Sequence, residues 1–373
     1  MRFTIKKDQF LKGLKVAGYA IGGKSVNQVL LYYKLDLNET GLEITASNGN
    51  LSIFTKIPTT IDGNEIIRSF SLGATLVSAT ELSGLVNKLD GDDVSFEVLD
   101  DVIAAVSSGG RSNYKLNCLN AQEYPDVPFE KLNSGFSVLG ADLSRMVEQT
   151  AFAALAKDGR PILTAINFKA EAGILTATAT DGARLSKKEM QIDSDARFSV
   201  NISAKVIADI CRLFDPGDTI EVSASPDRMV FEFGNTRVFA RLIAGDYPVS
   251  SKIIPENFVS SVTVDSNELL KALDRATILL VDNKVVKLSM SEEDVEISLR
   301  EEQTGSGVEK IFMASYEGEP LEINFNATYL IDALKSIGSE DAMISFTGEM
   351  KPFVVKNPKD DSLIQLITPI RTR

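Results

Sequence analysis

Apolar and polar positions in this chain follow two periods, and the alternation between them recurs three times. Segments 7–20 (KDQFLKGLKVAGYA), 141–154 (ADLSRMVEQTAFAA) and 266–279 (SNELLKALDRATIL) repeat an apolar or small residue every three to four positions. Phe10/Leu14/Ala17, Leu143/Val147/Thr150 and Leu269/Leu273/Ala276 share one spacing, so three helices with matched inner faces are predicted. A second set of segments opens at Ser78, Ser203 and Asn326, residue types that accept a hydrogen bond from the free amides of a first helical turn. Leu82/Leu85/Leu89, Ile207/Ile210/Phe214 and Leu330/Leu334/Ile337 follow, predicting helices over 78–89, 203–214 and 326–337. Between the helices run alternating or β-branched stretches such as LEITASN, LSIFTKI, GILTATAT, IEVSAS, MVFEFG, VKLSM and VEISL. These predict antiparallel strands, separated by turns at Asn48-Gly49, Asp181-Gly182 and Asp215-Pro216-Gly217.

The capped openings lie at 78, 203 and 326, spacings of 125 and 123 residues. An aspartate follows each one 15 residues later (Asp93, Asp218, Asp341), ahead of the strand-like VSFEV, TIEVS and AMISF. A repeat this long is a domain, not a solenoid unit. The expected fold is α+β: three similar domains, each of two helices packed on antiparallel sheets. Polar, proline-bearing stretches (NAQEYPDVPFEKLNSG and SSKIIPENFVS) place the boundaries, giving domains over 1–127, 128–256 and 257–373.

Composition narrows the class. Hydrophobic residues make up 44% of 373 and charged residues 24%, enough for several ordinary soluble cores. The opening MRFTIKKDQF has no apolar stretch, and no run approaches a membrane span, so a cytoplasmic protein without a membrane partner is expected. Cys118 and Cys211 fall in different repeats and are expected as reduced thiols. Histidine is absent, which removes Ser-His-Asp and Cys-His nucleophilic chemistry and the usual zinc sites, and no cofactor is expected. The net charge is −13, from 39 basic and 52 acidic residues, which disfavours nucleic acid unless cations gather on one surface.

Three patterns are candidates for chemistry. Gly18 to Ser25 fits the phosphate-loop spacing G-x-x-x-x-G-K-[ST], but an amphipathic helix precedes it and a strand-like run follows, the inverse of the required order. Asp90-Gly91-Asp92-Asp93 resembles a calcium loop only loosely, because the required glycine is Ser95, and it reads as a solvated turn. The basic positions are more telling. Lys12, Arg145 and Lys271 each stand two residues after the aligned Phe10, Leu143 and Leu269, and Lys88, Arg212 and Lys335 stand near the ends of the second helices. The helix dipole accounts for cations at helix ends, but not for the set inside the first helices. Cations repeated by pseudo-symmetry inside an acidic chain suit loose, sequence-independent contact with phosphates.

Particular strings then carry a resemblance. MRFTIKKDQFLKGL at the start, ATDGARLS (179–186), GDYPVSSKIIP (245–255), RATILL (275–280) and LIQLITPIRTR (363–373) resemble the bacterial DNA polymerase III beta subunits, the DNA polymerase sliding clamps. The likeness runs from Met1 to Arg373 with its landmarks in order. It implies two protomers, head to tail, closing a ring around double-stranded DNA, with helices lining the hole and sheets outside. It implies a non-catalytic processivity factor for the replicative polymerase. The partners it implies are the polymerase alpha subunit, the clamp-loader complex, and other polymerases and repair proteins carrying clamp-binding motifs. By resemblance, Tyr114 and Leu116 face Ile278 and Leu279 across the dimer interface. The family's peptide pocket, between the second and third domains, maps onto Leu163, Thr180, Gly182, Arg184, Leu185, Pro248, Lys252, Ile253, Met350, Pro352, Leu366, Ile367, Thr368, Pro369, Ile370 and Arg371. DNA contacts map onto Lys24, Lys157 and Arg160. The chain departs from common family residues at Ala183 and Lys252, and at Pro161-Ile162, where some relatives carry an aromatic pair.

Two other classes fit less. A hydrolase would need paired carboxylates in a catalytic setting, yet the acids stand mostly in turns. A modular adhesion or scaffold protein would carry a secretion signal.

Overall fold

The computed structural model describes every residue except 24–26, 101, 131, 133, 157–158, 250–251, 282–283 and 372–373. Among the described residues the α-helices are α1 (Lys7–Gly18), α2 (Ala79–Lys88), α3 (Gly140–Ala151), α4 (Ala204–Ile210), α5 (Ser266–Leu279) and α6 (Ala327–Ile337). They fall where the periodicity predicts three pairs. Phe10, Leu14, Ala17, Leu143, Val147, Thr150, Leu269, Leu273 and Ala276 are all buried. Along α2 and its C-cap the buried row is Leu82, Val86 and Leu89, so Val86 takes the place expected for Leu85. Helix α4 is shorter than expected: Pro216 disfavours helical backbone at Asp215, and the chain is already turning through 211–213.

The predicted caps divide. Asn326 Oδ1 accepts from Thr328 N at 2.9 Å, while Asp265, a cap that was not predicted, accepts from Glu268 N at 2.7 Å one residue ahead of α5. The Ser78 side chain makes no cap bond; its hydroxyl donates to the Glu81 carboxylate, which competes for it from the third helical position.

Backbone pairing shows the threefold kinship directly. Strands Arg2–Lys6, Gly135–Leu139 and Ser260–Asp265 each lead into a first helix. Each pairs antiparallel with the strand after the second helix, and the last residues in register are Lys6↔Asp93, Leu139↔Thr219 and Asp265↔Asp341. The first amide of each helix donates to the same strand-entry carbonyl: Lys7 to Asp92, Gly140 to Asp218 and Ser266 to Glu340, all at 2.8 Å. Asp218 therefore corresponds to Asp92 and Glu340, not to Asp93 and Asp341. The spacing that aligns the three aspartates hides one additional residue, which the central copy spends on its Asp215-Pro216-Gly217 turn.

The chain packs as two compact units. The first comprises 1–141 and 209–242, and the second 142–208 and 243–373. The first holds a thirteen-stranded sheet running from Gly135–Leu139 at one edge to Ile67–Ser71 at the other. Within it, strand Thr236–Arg241 of the central repeat pairs with Leu51–Pro58 of the first. The second unit holds a nine-stranded and a four-stranded sheet, and there Arg184–Gln191 of the central repeat pairs with Asp360–Ile367 of the third. The central repeat thus gives strands to both units, so the sequence repeat and the packing unit are different divisions of the chain.

Aromatic contacts tie helix to sheet in the first unit and the two sheets to each other in the second. Phe3 stacks on Phe96 at 5.2 Å and meets Phe10 of α1 edge-on at 5.9 Å. In the second unit Phe353 meets Phe325 at 5.2 Å and Phe346 at 5.3 Å. Each such buried ring contributes on the order of 2–3 kcal/mol from area alone.

Candidate partner-binding and nucleic-acid surfaces

Of the pocket residues taken from the resemblance, Thr180, Gly182, Arg184, Leu185, Leu366, Ile367 and Thr368 lie together at one end of the nine-stranded sheet. Strands Ile174–Thr180 and Arg184–Gln191 form a hairpin, and Gly182, at φ +95°, supplies the left-handed residue its four-residue turn needs. Asp181 Oδ1 accepts from the amides of Ala183 (2.8 Å) and Arg184 (3.0 Å), and Thr180 Oγ1 donates to Arg184 O (2.6 Å). The far side of the hairpin pairs Leu185 with Leu366 and Arg184 with Ile367. Beyond that strand, Thr368 clamps the turn by donating N–H (2.9 Å) and Oγ1–H (2.7 Å) to Ala183 O.

Leu185, Leu366 and Val354 form a small buried cluster, and the half-buried Ile254 and Ile364 pack on it. Leu163, on the 3-10 turn Pro161–Thr164, and Ile367 are buried too. Pro248, Lys252, Ile253, Met350 and Arg371 are exposed, while Pro352, Thr368, Pro369 and Ile370 are half-buried. The aliphatic cluster is thus buried, while two of the residues taken from the resemblance, Ile253 and Met350, are exposed apolar side chains. Tyr247 fixes the loop ahead of Pro248: its hydroxyl accepts from Thr180 N at 3.0 Å and donates to Ala165 O at 3.1 Å. Burial, aided by the nearby Asp181 carboxylate, pushes this phenol up to about 12, so it stays protonated.

Arg184 is held inside the fold instead of standing open to solvent. Its side chain is only 15% exposed, and all three guanidinium nitrogens are engaged. Nε meets Asp181 Oδ2 at 3.0 Å, Nη1 meets Asp332 Oδ2 of α6 at 2.6 Å, and Nη2 donates to Phe152 O at 2.6 Å. Its plane lies 4.6 Å from the Tyr329 ring centroid and 5.4 Å from that of Phe152. Sequence reasoning missed Tyr329, Asp332, Tyr247 and Ile254. The three-residue spacing of Tyr329 and Asp332, which puts both on one face of α6, was the available signal.

The basic set is exposed throughout. Lys12, Arg145 and Lys271 each stand five residues past the equivalent helix-start residues Lys7, Gly140 and Ser266, so their match is a matter of backbone position. Lys88 and Lys335 lie in last helical turns; Arg212 lies past the end of α4 and pairs with Asp209 at 3.4 Å. Lys88 stands nine residues past its helix start and Lys335 eight, so the second-helix set is not in strict register. Arg160 is exposed beside the hairpin turn, where a Cβ on Gly182 would stand 3.4 Å from its Nη2. Lys24 and Lys157 lie outside the described residues. Helix α1 ends at Gly18 and the next strand begins at Tyr32, so the phosphate-loop lookalike keeps its inverted order. The acidic turn is structural: Asp93 pairs with Lys6 at 3.1 Å and with Arg68, and Asp92 O receives the first amide of α1. Among the described residues no cluster of acidic or cysteine side chains could hold a metal ion.

Mixed-charge clefts adjoin the first helices. One of about 580 Å³ is lined by Arg145 and Gln149 of α3, Asp332 and Lys335 of α6, and Lys188 and Asp360 of the sheet. There Gln149 Nε2 donates to Ser336 O at 2.9 Å, tying α3 to α6.

Each unit also has a strand with an open edge. In the first, Ser112–Leu119 pairs along its length with Ile103–Ser108, but only Cys118 and Leu119 pair on the other side. Tyr114, 50% exposed, projects from that strand, and Leu116 is half-buried. In the second unit Gly305–Ile311 is the outer strand of the four-stranded sheet. Arg275 of α5 grips it with paired hydrogen bonds to Glu309, at 2.8 and 2.6 Å. Ile278 of α5 is 79% exposed, as Phe312 nearly is at 74%, and Leu279 is half-buried. Tyr114 and Ile278 are therefore not core residues.

Three kindred pieces of antiparallel sheet and paired helices, with a small aliphatic cluster at one sheet end, define the class of clamp-like α+β chains. Residues 1–128, 138–249 and 251–371 match the N-terminal, central and C-terminal domains of the DNA polymerase III beta subunit. The chain is 32% identical over 378 residues to the beta sliding clamp of Bacillus subtilis and 32% identical over 376 residues to that of Staphylococcus aureus, covering both partners completely. The solved Bacillus subtilis clamp superposes with a TM-score of 0.96 and the Streptococcus pneumoniae DNA polymerase III beta chain with 0.94 at 29% identity, again over full lengths. The chain belongs to the DNA polymerase III beta subunit family, the beta sliding clamps.

Proposed function

We propose that two copies of this chain, with domains over 1–127, 128–256 and 257–373, close head to tail into a ring around duplex DNA. The ring tethers the replicative polymerase in the cytoplasm and performs no chemistry itself. The observation that carries the reading is the exposed cation at one equivalent position of each first helix, Lys12, Arg145 and Lys271, in a chain of net charge −13. Few, solvated cations give phosphate contacts weak enough to slide on, while the acidic remainder repels DNA elsewhere. The open edges at 112–117 and 305–311 support closure, since an edge strand with exposed apolar neighbours is a template for pairing with another chain. A heterologous contact of this kind closes after two copies if the rotation is right. The aliphatic site around Leu185 and Leu366 suits an extended partner segment with apolar anchors, from the polymerase alpha subunit, the clamp loader, or other polymerases and repair proteins. The tether makes polymerase rebinding intramolecular.

The test is retention on nicked circular DNA. Protein loaded there should stay until the circle is cut and then leave from the ends. Equal retention before and after cutting would exclude a topological link.

A further inference from the structure

The Arg184 network lies behind the proposed partner site, and its far anchor, Asp332, lines a different cleft. On one side Arg184 is part of the site wall: it precedes Leu185 of the aliphatic cluster and pairs with Ile367, and the preceding Ala183 O carries both Thr368 hydrogen bonds. On the other side its guanidinium lies over Tyr329 and is held by Asp332, both on α6. Asp332 itself is among the residues of the cleft with Arg145 and Lys335, not among those of the aliphatic cluster. An arginine with each nitrogen committed and one ring face covered has little freedom, so its backbone and the wall built on it are preorganised.

We propose that Asp332 is a positioning residue for the partner-segment site: it acts through Arg184, holding the guanidinium against Tyr329 and thereby fixing the Ala183–Leu185 wall and the Thr368 clamp. The inference rests on the partner-segment reading given above. It differs from a role in direct contact, because Asp332 would matter without touching the bound segment. Loss of the carboxylate leaves Nη1 without its 2.6 Å partner and lets the wall sample other positions.

The experiment is a double-mutant cycle on the full-length protein, read by anisotropy of a labelled synthetic peptide carrying the clamp-binding motif of a replicative polymerase. Asp332→Ala should weaken peptide binding about tenfold with unchanged gel-filtration behaviour. Asp332→Asn, whose amide oxygen can still accept from Nη1, should recover part of the loss. In an Arg184→Ala background, Asp332→Ala should add no further loss, which is the signature of acting through the arginine. Wild-type affinity in both Asp332 variants would overturn the proposal, as would losses that simply add in the double variant. If Asp332→Ala does not fold, the comparison of Asp332→Asn with and without Arg184→Ala decides in the same way. If the wild-type protein fails to bind the peptide, the partner-site reading falls and takes this inference with it.

Discussion

Single residues here hold elements together more than they perform chemistry. Glu309 is the clearest case to test by pH. Its carboxyl lies below the ordinary value of 4.5 because the Arg275 side chain hydrogen-bonds it, an effect that outweighs its slight burial. A depressed folded-state value means the pair's contribution is complete above 4.5 and is lost as pH falls through the lower folded value. Glu309→Gln should therefore flatten the acid limb of a melting-temperature profile below about pH 5, while lowering the melting temperature at pH 7 by at most a few degrees, as for other exposed pairs. An acid limb as steep as that of the wild type would mean the pair carries no such linkage. Asp93 behaves similarly in direction: burial raises its carboxyl, but Lys6 and Arg68 together bring it below the ordinary value.

At the scale of elements, the equivalent helix positions of Lys12, Arg145 and Lys271 make a quantitative expectation. Replacing all three by Glu should cut affinity for duplex DNA at least tenfold at low salt and flatten the log-affinity against log-salt slope by about 0.9 per lost phosphate contact, up to about five for the six cations of a two-copy ring. An unchanged slope would remove these cations from the DNA surface. These helices were also the most legible part of the sequence, because a face such as Phe10/Leu14/Ala17 announces itself by spacing alone. What escaped was anything decided between distant segments. The central copy's additional residue is invisible until Leu139 is seen opposite Thr219, and the Ser78 hydroxyl goes to Glu81 instead of the backbone. The proposed partner site was suggested in the sequence by its strings, ATDGARLS above all. The inward commitment of Arg184 was not, because Asp332 is 148 residues further along and only the packing of α6 brings them together.

For the whole molecule, the proposed assembly places its demands on two strand edges and a few exposed side chains. Ile278→Asp would put a charge where the proposed contact is apolar, so the protein should shift from a two-chain to a one-chain particle on gel filtration at micromolar concentration, with its melting behaviour little changed because Ile278 is 79% exposed. A two-chain particle of undiminished stability would move the interface elsewhere. The unequal fit between repeat and packing unit has a consequence of its own. Strands of the central repeat are hydrogen-bonded to Leu51–Pro58 on one flank and to Asp360–Ile367 on the other. A break in the polypeptide at the exposed Pro125-Asp126 would sever the covalent link between repeats and leave both ladders intact. The three copies are bound like overlapping shingles: no single one can be lifted out, swapped or lost without stripping strands from its neighbours.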